Sequence, residues 1–405
     1  MKILFVHPRF PGQFWHLVRH LADDPGNTVL FITNHAEETI KNVRTIVYTV
    51  PADADRGTHP FVQPLEKSVM HGQAVAQLAL QLKKEGLAPD IIYGYDGWGA
   101  TIFLKEIFPH TPFLCYFEWY VNAHGAEYNF DPECCLSLEQ ECAIRCYNAA
   151  TLINLTICDQ GISPLQWQKQ QFPPEFQHKI SVIFDGVDTE IYFPMPVNGL
   201  QLPRLGLDLS DKKEVVTYGS RGFEPFDGFP QFMQSVALLQ QRRPRCHVVI
   251  AGFDHAKTFY GRSTDGKTCK EKMMTELSLD MRRLHFTGWL SWEEYLRLLR
   301  SSQAHVYLTR PHVLSWSLME AMASGCMVIA SDTPPVQEVI KDGENGVLTN
   351  FFDTEQLTAQ IERVLDDPET YVPMRQQAHQ MIQKQYSKQV LLPQQLELLN
   401  RLIGK

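Results

Sequence analysis

The sequence predicts an α/β protein made of two Rossmann-like domains. Short apolar runs rich in β-branched residues alternate with helical patterns along the 405 residues, and a proline-rich stretch divides this alternation into two halves. The runs are apolar on both faces, which is typical of parallel strands that are covered by helices on either side. A chain of this length accommodates two domains of about 200 residues each.

The first half contains candidate strands and helices in alternation. The strands are predicted at 3–7, 29–33, 44–50, 91–95, 113–117, 151–155 and 180–184. The helices are predicted at 13–22, 66–85 and 164–171. Strands and helices that alternate in this way indicate a Rossmann-like domain.

The alternation restarts after a stretch at 193–206 whose prolines and glycines, without any regular period, predict a linker. The strands of the second half are predicted at 215–218, 247–251, 285–287, 305–308, 327–330 and 346–348. Its helices are predicted at 229–241, 292–300 and 354–365, and the pattern at 371–403 is also helical. The predicted domains are therefore 1–195, completed by a C-terminal helix at about 384–405, and 207–383.

Composition and charge argue against two classes of partner. The net charge of −9 leaves no global basic field that would recruit nucleic acid or anionic lipid. No apolar run approaches the ~20 residues of a membrane span. The apolar run before His7 is shorter than the ~7–15 residues in the core of a signal peptide, so we expect a cytoplasmic protein.

Four of the nine cysteines lie close together in the sequence. Cys134, Cys135, Cys142 and Cys146 follow His124, which makes a zinc site conceivable. Cys142 and Cys146, however, are spaced like one face of a buried helix. Reduced core thiols are the favoured interpretation, and no metal is expected.

The segment 309–332 carries the most specific signal in the chain. An apolar run at 305–308 leads into a loop, a helix opens near Ser315, and Glu320 lies about one turn inside that helix. The free N–H groups and the positive dipole of a helix N-terminus suit a phosphate group. Glu320 could then accept hydrogen bonds from sugar hydroxyls. This layout predicts a nucleotide-diphosphate pocket, with the donor held by Ser315, Trp316, Ser317 and Leu318.

These residues resemble the nucleotide-binding half of glycosyltransferase family 4. Further matches are Tyr218-Gly-Ser-Arg221, Ala251-Gly252, Phe286-Thr-Gly-Trp-Leu290 and Asp185-Gly-Val-Asp188, together with Phe10-Pro-Gly-Gln-Phe14 in the first half. The resemblance implies the GT-B fold, in which two Rossmann-like domains face each other across a cleft. It also implies a retaining enzyme that uses a nucleotide sugar and needs no metal or other cofactor.

The resemblance also assigns roles in the second half. Glu320 matches the family glutamate that contacts the donor ribose, and Arg221 matches the first cation of the diphosphate clamp. His312 stands where the family has a glutamate that touches the transferred sugar, and a surface loop residue is the alternative for it. A structural ion pair is the alternative for Arg221. Asp227 stands where the family has a second cation.

An aspartate cannot bind phosphate directly, so Asp227 is the more serious departure from the family. Either Arg221 and the helix N-terminus suffice, or another cation substitutes, or the enzyme is impaired. Arg310, just after the predicted strand, is the preferred substitute, and Lys257 is a second candidate.

Residues at predicted strand ends of the first half are candidates for the remaining contacts. Gly12 would let the backbone approach the donor, and a plain tight turn is the alternative for it. Asp96 and Trp98 follow the strand at 91–95, and Trp98 is either a sugar-stacking platform or a core residue. Glu118 follows the strand at 113–117, where the family often has a histidine. Asp96, Trp98 and Glu118 are predicted to bind the acceptor or the transferred sugar.

The predicted function is that of a retaining glycosyltransferase. It would move a sugar from a UDP- or GDP-type donor to a hydroxyl acceptor, and the β-phosphate oxygen would take the acceptor's proton. The alternative is a degenerate, non-catalytic GT-B protein that binds a nucleotide or a protein partner, which Asp227 and His312 favour. A dehydrogenase is disfavoured because no Gly-x-Gly-x-x-Gly follows the first strand. The hypothesis of a sugar-nucleotide epimerase is disfavoured because the motif at 309–332 is not typical of that class of enzyme.

Overall fold

The chain folds into two compact units. The computed structural model describes residues 1–50, 57–132, 135–254, 257–258, 261–262 and 266–404, with backbone alone at 257–258 and 261–262. The first unit comprises Met1–Gly186 with Lys388–Lys405, and the second comprises Val187–Ser387. Each unit is built around a parallel sheet, so the predicted α/β class is confirmed.

The first unit contains a seven-stranded parallel sheet in the order β3-β2-β1-β4-β5-β6-β7. The strands are β1 Lys2–Val6, β2 Thr28–Thr33, β3 Val43–Val47, β4 Ile91–Tyr95, β5 Phe113–Tyr116, β6 Gln160–Ser163 and β7 Ile180–Val182. The helices are α1 Trp15–Asp23, α2 Gln63–Lys84, α3 Leu104–Ile107, α4 Leu138–Tyr147, α5 Ala149–Ile157, α6 Gln166–Gln170 and α7 Pro174–Gln177. The central strands β1, β4 and β5 are almost fully buried, as expected for strands covered on both faces.

The second unit contains a six-stranded parallel sheet and two short ribbons. The ribbons pair β8 Leu200–Leu202 with β9 Leu207–Leu209 and β12 Lys257–Thr258 with β13 Gly261–Arg262. The sheet has the order β14-β11-β10-β15-β16-β17. Its strands are β10 Val215–Gly222, β11 His247–Phe253, β14 Leu284–Gly288, β15 Ala304–Tyr307, β16 Val328–Ser331 and β17 Val347–Thr349.

Eight helices complete the two units. Those of the second unit are α8 Phe229–Arg242, α9 Cys269–Glu276, α10 Trp292–Ser301, α11 Trp316–Ala323, α12 Pro334–Val339, α13 Thr354–Asp366 and α14 Val372–Met381. The last helix, α15 Lys388–Leu402, returns to the first unit, where Gln395 donates to the carbonyl of Phe184. No helix in the described part of the chain is long and apolar enough to cross a membrane.

The strand predicted at 151–155 is wrong, because these residues lie inside α5. The buried positions Ala150, Asn154 and Leu155 recur at helical spacing, and the sixth strand forms at Gln160–Ser163 instead. A short apolar run does not by itself distinguish a buried strand from a buried helix.

The linker predicted at 193–206 is also wrong. Its second half contains β8, which pairs with β9, and Leu200, Leu202 and Leu209 of this ribbon are buried in the core of the second unit. The alternation of leucine with polar residues around Gln201 is a strand pattern of period two, which the prolines and glycines on either side obscured.

The expected core thiols on α4 are not found. Cys135 and Cys142 are exposed, and Cys146 is partly buried. Helix α4 has no buried residue, and it begins with a capping box between Ser137 and Gln140. Among the described residues no group of three or more His, Cys, Asp or Glu side chains could hold a metal ion. Cys134 lies outside them.

Candidate functional site

The loop after β15 leads directly into the N-terminus of α11. Ser315 is the N-cap of this helix, and its Oγ accepts a hydrogen bond of 3.2 Å from the Ser317 N–H. The backbone N–H of Ser315 in turn donates to the Tyr307 hydroxyl at 3.1 Å. The helix start is therefore fixed at the carboxyl end of β15, with Ser315 and Trp316 exposed. Such a start can receive an anion through its backbone N–H groups and its dipole.

Glu320 lies one turn inside α11 and is half-buried. Tyr192 donates a hydrogen bond to its carboxylate, and the Trp292 indole donates one to Tyr192. Burial raises the pKa of Glu320 from 4.5 to about 7, and the hydrogen bond from Tyr192 opposes that rise. The carboxylate is thus partly desolvated, and sugar hydroxyls could donate hydrogen bonds to it. Sequence reasoning missed Tyr192 and Trp292, because neither belongs to a motif.

Replacing Tyr192 with phenylalanine should weaken nucleotide binding at pH 7 about 3- to 10-fold. The change removes a hydrogen bond that favours the charged form of Glu320, so the pKa of Glu320 should rise further and more of it should be protonated. The loss should shrink at pH 9, where the carboxylate is ionised again. Calorimetric titration at the two pH values measures this difference. Tyr371→Phe in the same unit is the control, and an equal loss at both pH values would contradict this account.

His312 lies in the loop between β15 and α11, against Phe226. The two rings meet edge to face, with centroids 4.9 Å apart, and the Arg310 backbone N–H donates to the Phe226 carbonyl. Burial lowers the pKa of His312 from 6.5 to about 3. The side chain is therefore neutral at pH 7. It can exchange hydrogen bonds with a sugar but cannot supply the charge of the glutamate that the family has at this position.

Arg221 and Asp227 differ sharply in their surroundings. Arg221 is exposed on β10 and makes no hydrogen bond or ion pair within the described parts of the chain, so a structural ion pair does not explain it. Asp227 instead points inward and accepts a 2.7 Å hydrogen bond from Ser220. Burial raises the pKa of Asp227 to about 6. Its carboxylate is occupied by the protein, which leaves Arg221 as the accessible charge of this pair. The side chain of Lys257, the other proposed substitute cation, lies outside the described residues.

Gly12 packs against the imidazole of His7 in the first unit. Its φ of +56° is left-handed, and a Cβ added to it would lie 2.4 Å from His7 Cε1. Both the backbone conformation and the lack of space therefore require glycine here. His7, at the carboxyl end of β1, was not singled out by the sequence reasoning, although a histidine directly after a buried strand was a signal for it.

Gly12→Ala should lower the free energy of unfolding by about 2–4 kcal/mol, because it combines backbone strain with overpacking. Gly125→Ala is the matched control. Gly125 has a φ of +83° and no atom within 4 Å of its added Cβ, so strain alone should cost about 1–2 kcal/mol. Urea unfolding measures both values. Equal losses would show that the contact with His7 is unimportant.

The three predicted sugar-binding residues of the first unit lie in different settings. Asp96 is buried and is fully engaged by Thr151 and Asn154, at 2.7 Å each. Trp98 is 54% exposed, has a φ of +71°, and lines a cavity of about 410 Å³ together with Arg9 and other residues. Glu118 accepts hydrogen bonds from the side chains of Gln13 and Tyr95. Trp98 and Glu118 thus keep accessible surface, whereas Asp96 joins α5 to the end of β4 through its two hydrogen bonds.

Two family models match successive parts of the chain. Residues 25–192 match the model described as the glycosyl transferase family 4 group, and residues 206–381 match the one described as glycosyl transferases group 1. Together the two matches take in most of both structural units.

Curated relatives are similar over about half of their own length. Alpha-D-kanosaminyltransferase of Streptomyces kanamyceticus is 26% identical over 225 residues, which are 54% of this chain and 53% of the relative. D-inositol 3-phosphate glycosyltransferase of Corynebacterium efficiens is 27% identical over 202 residues, which are 49% of this chain and 46% of the relative.

Solved structures match along the whole chain. HepE of Anabaena, in complex with UDP and glucose, has a TM-score of 0.70 at 18% identity and covers 99% of this chain and 100% of its own. Sucrose-phosphate synthase of Thermosynechococcus elongatus has a TM-score of 0.73 at 16% identity, with 100% and 99% covered. At these identities the likeness shows the GT-B glycosyltransferase fold. With the two family models, it shows that the chain belongs to the GT-B glycosyltransferases of family 4.

Proposed function

We propose that this chain is a retaining glycosyltransferase that moves a sugar from a nucleoside-diphosphate donor to a hydroxyl acceptor. The main support for this proposal is the environment of Glu320. Glu320 is a half-buried carboxylate with a raised pKa, one turn inside a helix whose N-terminus is exposed. A structural carboxylate would be expected to gain a cationic partner, whereas Glu320 receives a hydrogen bond from the neutral Tyr192. Ribose hydroxyls would supply further donors.

The diphosphate is proposed to lie at the start of α11 and against Arg221. The N–H groups of the first turn and the dipole of α11 favour negative charge there. Arg221 can hold two phosphate oxygens at once through its planar guanidinium. It would stabilise the charge that grows on the departing diphosphate as the sugar–phosphate bond breaks. His312 is proposed to help orient the sugar as a neutral hydrogen-bonding group.

The chemical step would exchange one bond for another at the anomeric carbon. The bond from that carbon to the β-phosphate oxygen breaks, and the acceptor oxygen bonds to the same face. The acceptor's proton passes to the departing β-phosphate oxygen, so the step needs no protein base and no metal ion. The retaining course rests on the resemblance to family 4. The UDP and UDP-glucose complexes of HepE favour UDP as the first donor base to test.

A panel of UDP-, GDP- and ADP-sugars, with acceptor mixtures and in the presence of EDTA, tests this proposal. Release of the nucleoside diphosphate is measured, and the anomeric configuration of the product is read by NMR. We expect turnover with one donor class and retention of configuration. An inverted product would reject the retaining course, and loss of activity in EDTA would reject the metal-free step.

One observation favours a second candidate, a GT-B protein that binds a nucleotide without transferring its sugar. Asp227 replaces a cation of the family's diphosphate clamp and is turned inward toward Ser220. Arg221 and the helix N-terminus would then have to hold the diphosphate, either alone or with Arg310 or Lys257 in place of the missing clamp cation. Calorimetry with UDP, GDP and ADP beside the turnover assay separates the two candidates, because binding without any turnover supports the second.

A further inference from the structure

Four side chains of the first unit form a chain of hydrogen bonds that converges on the Glu118 carboxylate. The backbone N–H of Arg9 donates to His7 Nδ1 at 2.9 Å, and His7 Nε2 lies 2.7 Å from Gln13 Oε1. Gln13 Nε2 donates to Glu118 Oε1 at 2.7 Å. From the other side, the Tyr95 hydroxyl donates to Glu118 Oε2 at 2.5 Å. The chain therefore ends on both oxygens of one carboxylate.

The first bond sets the direction of the two bonds that follow it, from His7 to Gln13 and from Gln13 to Glu118. Because Nδ1 of His7 accepts from Arg9, the proton of a neutral ring must be on Nε2, which then donates to Gln13. Burial lowers the pKa of His7 to about 4, so the ring is neutral at pH 7. Its position is fixed by Gly12 on one side and by the Tyr95 ring on the other, with centroids 4.4 Å apart.

The arrangement makes Glu118 an acceptor at both oxygens. The Gln13 amide can offer only its NH₂ to Glu118, because its carbonyl oxygen is engaged by His7. Burial and the neighbouring Glu118 raise the pKa of Tyr95 well above its ordinary value, which keeps its hydroxyl a donor. A carboxylate has about four lone-pair positions, and the protein fills two of them. Glu118 is only partly buried, so the other two can meet a ligand.

We propose that His7 and Gln13 are positioning residues that hold Glu118 as the acceptor for two adjacent hydroxyl groups of a sugar or cyclitol ring, which is the acceptor substrate. This inference rests on the proposed glycosyltransferase function. The ring must donate at this point, so a phosphate or carboxylate of the acceptor cannot lie against Glu118. Glu118 would thus determine which part of the acceptor ring this unit receives.

The order of hydrogen bonds is tested first, by long-range ¹H–¹⁵N NMR of histidine-labelled protein. The His7 signals are assigned by their loss in His7→Asn. We expect a neutral ring protonated at Nε2 from pH 5.5 to 8. A proton on Nδ1, or a titration near pH 6.5, would overturn the proposed direction. This readout does not depend on enzymatic activity.

Ligand binding is tested with myo-inositol, methyl α-D-glucopyranoside and methyl α-D-mannopyranoside by ligand-detected NMR. The comparison compound, 2-(hydroxymethyl)tetrahydropyran, lacks adjacent ring hydroxyls. We expect at least one of the three polyols to bind and the comparison compound not to bind. Glu118→Gln and Gln13→Glu should each weaken polyol binding about tenfold, because each breaks the donor–acceptor order at a partly buried bond.

A surface pair in the same unit provides matched controls. Gln81 Nε2 donates to Glu85 Oε1 at 2.9 Å on α2, where the pair is exposed. Gln81→Glu and Glu85→Gln make the same chemical changes and should leave polyol binding unchanged. Affinity for UDP, GDP and nucleotide sugars should also stay unchanged in all four variants.

Each outcome separates this inference from the proposed function. If the wild type binds none of the polyols, or if Glu118→Gln and Gln13→Glu bind them as the wild type does, the inference is wrong. If these two variants change nucleotide-sugar affinity instead, the assignment to the acceptor is wrong. If they lose polyol binding while the wild type turns over no donor, the proposed function fails and the inference stands.

Discussion

Glu320→Gln is expected to lower kcat/KM for the nucleotide sugar about 100-fold and, at the same time, to stabilise the free protein at pH 8. The loss of activity follows because an amide offers one acceptor oxygen in place of two and carries no charge, and hydrogen bonds to charged groups contribute about 1.5–3 kcal/mol each. The gain in stability follows from the pKa, which burial raises from 4.5 to about 7.

The sign of the stability change is set by proton linkage. The native state binds the Glu320 proton more tightly than the unfolded state does. The free energy of unfolding therefore falls as pH rises from about 4.5 to about 7, at about 1.4 kcal/mol per pH unit for a fully coupled group. Glutamine removes this dependence. Glu320→Gln should thus be more stable than the wild type by about 1–3 kcal/mol at pH 8 and about equal to it at pH 4.

Urea unfolding at the two pH values, beside steady-state kinetics, measures both effects. Glu276→Gln is the control, because Glu276 is exposed at the end of α9 in the same unit. A variant that is inactive and also less stable at pH 8 would indicate a structural role for Glu320. A variant that keeps full activity would remove Glu320 from the donor site.

Arg221→Ala is expected to lower kcat/KM about 10²- to 10³-fold, the usual cost of removing one group that stabilises a developing anion. Arg221→Lys should recover part of the loss, since lysine supplies the charge but not the two-pronged geometry. The free energy of unfolding should change by less than about 0.5 kcal/mol, because the side chain is exposed.

The matched control is Arg245→Ala. Arg245 is an exposed arginine of the same unit that follows α8, at the opposite end of β11 from the ligand site. Its replacement should leave kinetics and stability unchanged. If Arg221→Ala and Arg245→Ala have the same kinetics, Arg221 does not bind the diphosphate.

Local sequence signals predicted those strands that are continuous apolar runs and those helices that begin at a clear N-cap. The apolar runs of β1, β4 and β10 and the start of α11 at Ser315 lie where they were expected. Such signals depend on neighbours in sequence, as a helix cap does on the residue two or three positions later. At 151–155 and 193–206 the local signals were ambiguous or obscured, and tertiary packing decided the outcome by burying Leu155 in a helix and Leu200 in a strand.

The candidate site could be predicted only in part for the same reason. Glu320 and Arg221 stand in recognisable motifs, whereas Tyr192 reaches Glu320 from more than a hundred residues away in sequence. Whether Asp96 faces a ligand or the protein depends on Asn154, which the sequence analysis had placed in a strand. No local pattern encodes a partner at such a distance.

The most direct test of the central claim is transfer itself, followed with UDP-glucose and related donors by NMR in the wild type, Glu320→Gln and Arg221→Ala. We expect a glycoside of unchanged anomeric configuration from one donor class in the wild type, with at least a 100-fold slower rate in each variant. Tight nucleotide binding without any transferred sugar in the wild type would contradict it.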